Sequence, residues 1–268
     1  MRLAANISLL FTEVPLLERF QAAKDAGFHV VEIQFPYKEK IEDLVAAKKA
    51  ADVEVCLINV PAGDLMVGGE GLACVPGEEG EFKKAMNLCY QYAKALDVKL
   101  VNVLPGRCLD PAKEDEYRDT LIHNLRRAAN GFAKHHILVT FEAINTRDMH
   151  GFLIHSSQQM LDVILDVDHD NLKMQFDIYH MQLMDGHVDE CIKHHGNMIG
   201  HIQFADTPNR GEPGSGNLNF IHIFDDIKCS HYHGYVAAEY KPTSNTQDSL
   251  QWMQEHDLSW LETKAVLK

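Results

Sequence analysis

Eight times along the 268-residue chain, a short run of β-branched and aliphatic residues is followed by a stretch whose apolar residues recur at helical spacing. This alternation predicts parallel βα units, because two parallel strands can be joined only by a crossover long enough to hold a helix. The expected strands are Leu3 to Ser8, Val30 to Phe35, Val55 to Val60, Leu100 to Leu104, Leu138 to Glu142, Leu172 to Asp177, Ile199 to Ala205 and Val236 to Tyr240. Eight such units in a chain of this length match a closed (β/α)8 TIM barrel, read here as one domain over residues 1–268. The units repeat in pattern and not in sequence, and no low-complexity tract separates them.

The helical stretches carry apolar stripes that should lie against the barrel: Leu16, Phe20, Ala23 and Ala26 in the first, and Phe82, Ala85, Met86, Leu88, Cys89 and Tyr92 in the third. The charged block Lys113 to Glu116 reads as the solvated start of the fourth helix, its acidic groups favourable near the positive end of the helix dipole. Two segments rich in glycine and proline, Pro61 to Gly80 and Thr207 to Asn219, follow strands three and seven. They fall on the side of the barrel that carries chemistry.

Composition removes several function classes. A formal net charge of −14 opposes binding to a phosphate backbone, which is driven by clustered lysine and arginine. No stretch approaches the roughly 20 apolar residues that span a bilayer, and the N-terminal apolar run is short and meets an early glutamate, Glu13. A cytoplasmic protein with no membrane partner is expected. The six cysteines form no CxxC pair, which argues against a zinc knuckle and a disulfide framework, so reduced, structural thiols are expected.

The chemistry stands at the ends of the last four strands, which read ILVTFE, LKMQFD, HIQFAD and YVAAEY. Side chains alternate along a strand, so Thr140 with Glu142, Gln175 with Asp177, His201 with Gln203, and Ala237 with Glu239 should all point into the barrel. Glu142, Asp177, Gln203 and Glu239 then converge at one mouth. Ionised carboxylates crowded at an apolar barrel end repel one another and resist desolvation, and a divalent cation is the usual remedy. Three carboxylates and an amide oxygen, without cysteine, suit Mg2+ or Mn2+ better than Zn2+. Any one of these residues alone could be an ordinary polar strand cap; the four together argue for a site.

The segments FEAINTRDMHGF, QFDIYHMQLMDGHV, HIQFADTPNRGEP and AEYKP resemble the hydroxypyruvate isomerase family of the xylose-isomerase-like barrels. ANISLLF, INVPAGD and QYAKAL extend the likeness over nearly the whole chain. The resemblance implies interconversion of hydroxypyruvate and tartronate semialdehyde, or of a related 2-oxo sugar acid, with Glu142, Asp177, Gln203 and Glu239 as metal ligands. It implies proton transfer through an enediolate by Glu142 and Glu239, and no electron-carrying cofactor. In sibling isomerases the third ligand is usually histidine, so Gln203 departs from the wider pattern.

By the same resemblance His180 and Arg210 match positions that hold substrate oxygens, and the planar fork of Arg210 suits a carboxylate. Lys241, just after Glu239, is a further candidate for the substrate carboxylate, and the role of Asn217 stays open. His194, His195, His231 and His233 fall at a helix end and a turn, where exposure or dipole compensation accounts for them. Barrels of this group often pair, which makes a homo-oligomer an expectation of analogy only. Other readings are a 2-oxo-tetronate isomerase or keto-sugar epimerase of the same barrel group and, remotely, a metal-dependent abasic-site endonuclease.

Overall fold

The computed structural model describes residues 1–261. Eight parallel strands close into a barrel in sequence order: β1 (Arg2–Asn6), β2 (Val30–Ile33), β3 (Glu54–Asn59), β4 (Leu100–Val103), β5 (Leu138–Glu142), β6 (Leu172–Asp177), β7 (Ile199–Phe204) and β8 (Tyr235–Ala238). Around them lie α1 (Leu16–Asp25), α2 (Ile41–Ala51), α3 (Glu79–Leu96), α4 (Glu114–Ala133), α5 (Ser157–Val167), α6 (Ile178–Met184), α7 (Val188–His195), α8 (Phe220–Cys229) and α9 (Trp252–Glu255). β8 pairs with β1 to complete the ring. A closed ring leaves no strand edge unpaired.

Each strand expected from the sequence is present, within a few residues at its ends. The fourth helix begins at Glu114, after a 3-10 turn over Pro111–Lys113. One helix assignment is corrected: Leu88 is 38% exposed, because it lies off the face of α3 that carries Phe82, Ala85, Met86, Cys89 and Tyr92. Strand alternation sorts the remaining apolar residues into two cores. Odd-phase residues such as Val101, Phe141 and Phe204 meet the helices, with Phe204 edge-on to Phe220, Phe224 and Trp252. Ala4, Val30, Cys56, Leu57, Leu100 and Ala237 fill the floor of the barrel.

The parity of β7 depends on a bulge. Met174 pairs with Ile199 and Gln175 with His201, so Gly200 is skipped in the register with β6. The extra residue re-aims the strand, turning His201 and Gln203 inward while Ile202 and Phe204 face the helices. Glycine is required there, since a Cβ would sit 2.9 Å from Thr140 Cγ2 and 3.0 Å from Lys173 Cβ. Gly200→Val is therefore expected to overpack the barrel and lower the unfolding free energy by about 1–3 kcal/mol. Chemical denaturation measures this, and an unchanged midpoint would mean that the bulge tolerates a side chain.

Candidate active site

Above the apolar floor every inward position is polar. Glu142, at the end of β5, and Glu239, one residue past β8, are both buried and are held in the same way. Glu142 Oε2 accepts from Asn102 Nδ2 at 3.0 Å and Gln175 Nε2 at 2.9 Å. Glu239 Oε1 accepts from Asn6 Nδ2 at 2.7 Å and Gln34 Nε2 at 2.9 Å. One oxygen of each carboxylate is thus clamped by two amides; the other lies 3.8 Å from His180 Nε2 in Glu142 and accepts from Arg210 in Glu239.

Asp177 ends β6 and begins α6. Its Oδ1 accepts the Tyr179 N–H at 2.8 Å as a helix cap, while Oδ2 faces Arg210 Nη2 at 3.2 Å and His180 Nε2 at 3.4 Å. Arg210 Nη2 also donates to Glu239 Oε2 at 2.5 Å, and its guanidinium lies 5.2 Å from the centre of the Tyr179 ring. The guanidinium therefore bridges Asp177 and Glu239. Arg210 takes a left-handed backbone, φ +59°, a conformation that L residues hold only where the surroundings enforce it.

Asp206 supplies that enforcement. Its carboxylate accepts N–H groups from Thr207, Gly214, Gly216 and Leu218 at 2.8 to 3.0 Å, folding the whole β7–α8 loop around one buried anion. A Cβ on Gly216 would lie 2.0 Å from the Thr207 carbonyl oxygen, so the close approach demands glycine. The Arg210 carbonyl is tied to the Lys241 N–H at 2.7 Å.

His180 is a donor by construction. Its Nδ1 lies 2.7 Å from Asn145 Nδ2 and accepts the Asn145 N–H at 3.4 Å. The Asn145 amide is oriented in turn because its oxygen accepts the N–H groups of Arg147 and Asp148. With Nδ1 accepting, the neutral ring carries its hydrogen on Nε2, which faces Asp177 and, at 3.8 Å, Glu142. Burial first, then Arg210, pushes the His180 pKa well down, so the ring stays neutral.

The carboxylates shift the other way. Burial raises Glu142 well above the usual range, and Glu239 and Asp177 raise it further. Burial likewise pushes Glu239 up to about 8 against the pull of Arg210, and raises Asp177. Arg210, lowered by burial, is raised more strongly by Glu239, Asp177 and Glu142.

Among the described residues, one group of three or more acidic, histidine or cysteine side chains could hold a metal ion, Glu142, Asp177 and His180, whose ligand atoms lie within 4.8 Å of one another. Gln203 stands one layer below, its Oε1 accepting from Gln175 Nε2 at 2.8 Å and its Nε2 donating to Glu32 Oε1 at 2.7 Å. Glu239 joins the group through Arg210. Lys241 is exposed past the end of β8, and its main-chain N–H holds the Arg210 carbonyl. Asn217 is exposed too, and ties its loop through its N–H to the Thr207 carbonyl at 2.9 Å. Sequence reading passed over Asn6, Glu32, Gln34, Asn102 and Asp206. The period-two rule that found the acidic strand ends, applied to VVEIQ and LVNV, points Glu32, Gln34 and Asn102 inward as well.

Residues 20–256 match the family model of the xylose isomerase-like TIM barrel. The hydroxypyruvate isomerase of Escherichia coli (strain K12) is 42% identical over 253 residues, covering 94% of this chain and 98% of that protein. The chain belongs to the hydroxypyruvate isomerase family. As a member of this family it is an isomerase. A 2-oxo-tetronate isomerase of Haemophilus influenzae is 34% identical, over 95% of this chain and 99% of its own length. A crystal structure described as an AP endonuclease of family 2 from Brucella melitensis superposes with a TM-score of 0.91 at 35% identity, covering 95% of this chain and 98% of that one.

Two predictions follow from the geometry. Carboxyls whose folded pKa lies above the unfolded value hold extra protons in the native state, which stabilises it below about pH 4.5 and loses that contribution as pH rises toward 8. The thermal midpoint of the metal-free protein is expected to fall across this window, with a shallower slope in Glu142→Gln; parallel slopes would refute the assignment. Gly216→Ala is expected to displace Arg210 and raise KM for an acid substrate about tenfold or more, and an unchanged KM would separate the loop from the site.

Proposed function

We propose that this protein interconverts hydroxypyruvate and tartronate semialdehyde, with Glu142 and Glu239 carrying a proton between adjacent carbons. The observation behind this reading is the matched pair of buried glutamates, each with one oxygen clamped by two amides, Glu142 lining the cleft and Glu239 joined to it through the cleft-lining Arg210. A 1,2-proton shift needs a base at one carbon and an acid at its neighbour, and the two exchange roles in the reverse direction.

One glutamate takes a proton from C3 of hydroxypyruvate, and the electron pair moves toward the C2 carbonyl to give an enediolate. The other delivers a proton to C2, while the hydroxyl proton passes from the oxygen of C3 to that of C2 and leaves the aldehyde. The Nε2–H of His180 is aimed where the oxygen charge grows, and Arg210 offers the fork for the substrate carboxylate.

A divalent cation fits the donor set, since three buried carboxylates stand together and the guanidinium beside them pairs with only two, Asp177 and Glu239. Glu142, Asp177, Glu239 and the second lone pair of the Gln203 oxygen would hold it, with Mg2+ or Mn2+ favoured by all-oxygen ligation. Bound there, it would supply Lewis-acid stabilisation of the enediolate charge.

The cleft is narrow, about 90 Å³, with Phe35, Met66, Leu104, Ile144 and Met149 opposing the polar wall. That size favours a three-carbon acid over a hexose; drug-sized ligands occupy roughly 300 Å³ or more. The relatives that act on 2-oxo-tetronate keep that four-carbon acid as the second reading. A carboxylate-dominated site and a net charge of −14 speak against nucleic acid as substrate. Six free thiols accord with work in the reducing cytoplasm, and no described helix is long and apolar enough to cross a membrane.

Incubation with hydroxypyruvate in deuterated water should place deuterium on the carbon that gains the proton, with 2-oxo-tetronate and a neutral ketose as comparison substrates. Turnover of the ketose alone would overturn the sugar-acid reading. Glu142→Gln is expected to lower kcat by about 10²–10⁴-fold with an unchanged circular dichroism spectrum. Chelation should abolish turnover and Mg2+ or Mn2+ should restore it; a rate indifferent to chelator would remove the metal from the mechanism.

A further inference from the structure

Glu32 is fully buried and takes no part in the proton transfer, yet it sits between the two glutamates that do. Its Oε1 accepts from Asn6 Nδ2 at 2.8 Å and from Gln203 Nε2 at 2.7 Å, and its Oε2 meets His201 Nε2 at 2.5 Å. Asn6 spends its second N–H on Glu239. Gln203 accepts from Gln175, which spends its own second N–H on Glu142. The two glutamates are therefore joined beneath the cleft by an unbroken buried chain, Glu239, Asn6, Glu32, Gln203, Gln175, Glu142.

The direction of every amide in this chain is determined. Asn6 Oδ1 is occupied by the Ser8 N–H at 2.9 Å, so only its nitrogen can face the carboxylates. Gln175 Oε1 is met by the Thr140 hydroxyl at 3.3 Å, which leaves its nitrogen for Gln203 and Glu142. Gln203 has no such backbone tie; its amide is turned by Glu32, an acceptor on one side, and Gln175, a donor on the other. Were Gln203 to flip, its nitrogen would oppose the Gln175 nitrogen and its oxygen the Glu32 carboxylate, two repulsive contacts in a buried network.

We infer that Glu32 is a positioning residue: its oxygen sets the amide polarity of Gln203 and anchors Asn6, and so aims the Gln203 oxygen and the Glu239 carboxylate at the reaction space. The inference rests on the isomerase reading for its catalytic readout and on the hydrogen-bond chain alone for its geometry. Partners behind the groups that touch a metal or substrate typically change affinity or rate about 10–100-fold when altered.

Glu32→Gln and Glu32→Asp separate the possibilities. The glutamine keeps an oxygen where Asn6 and Gln203 need it and turns its nitrogen toward His201 Nε2, which accepts once the ring hydrogen moves to Nδ1. The aspartate keeps the charge and withdraws the oxygen by one methylene. Expected values are kcat within about threefold of wild type for Glu32→Gln and about 10-fold or more below it for Glu32→Asp, with KM little changed in both. Mn2+ affinity, measured by titration without substrate, should weaken in Glu32→Asp by a similar factor and hold in Glu32→Gln.

A residue that merely stabilises the barrel would shift the thermal midpoint of both variants and leave kcat per folded molecule and Mn2+ affinity alone; that result overturns the inference. So does the reverse order, with Glu32→Asp active and Glu32→Gln not, which would make charge and not acceptor position the requirement. If wild type fails to isomerise any 2-oxo acid while Mn2+ affinity still follows the expected order, the functional reading falls and the positioning role stands. Glu32→Met, which removes the acceptor, gives the same two readouts should the aspartate variant not fold.

Discussion

Carboxylates without water hold the active end of this barrel together, and everything near them is arranged to make that tolerable. Glu142, Asp177 and Glu239 are buried at the strand ends, and Glu32 lies fully enclosed just below. Desolvated charges of one sign repel, and burying even one is costly unless it is paired and hydrogen-bonded. The barrel answers with amide donors from five strands or strand ends, Asn6, Gln34, Asn102, Gln175 and Gln203, and with the Arg210 guanidinium brought in from the β7–α8 loop. Glu142 and Glu239 stay raised above the usual carboxyl range because burial outweighs these partners.

The division of labour between barrel halves follows from the same constraint. The floor is apolar and close-packed, so it excludes water from below and strengthens each hydrogen bond above it. The loops close the top differently. An apolar cluster of Leu65, Leu104, Ile144 and Phe152 walls one side of the mouth, while the Asp206 cradle fixes the opposite loop that delivers Arg210. A strained arginine backbone is affordable only because that cradle and the Lys241 N–H over-determine its position.

Much of this was legible in the residues as written. Each expected strand exists, and the inward parity of Glu142, Asp177, Gln203 and Glu239 is what the contacts show, since alternation is a local property of extended backbone. Leu88 was misplaced because an apolar residue next to a stripe is indistinguishable in a list from one within it, and 38% of it meets solvent. Lys241 stands past the end of β8, where the chain has left the strand and alternation no longer fixes the direction of a side chain. Glu32 and Asn102 obey the rule that found the others, but they stand in β2 and β4, outside the four strands whose ends carry the expected ligands.

By itself the sequence determined the order of elements, the closed parallel barrel, the shared face of the strand-end residues and the family to which the chain belongs, because these depend on periodicity and on local motif order. Only the tertiary structure decided which oxygens the amides clamp, that Arg210 spans Asp177 and Glu239, that His180 presents its Nε2–H, and that Glu32 lies in the chain linking the two glutamates. Those facts rest on distances between residues up to 233 positions apart in the chain. Hydrogen-bond direction depends on which donor meets which acceptor in space, and no one-dimensional pattern encodes that pairing.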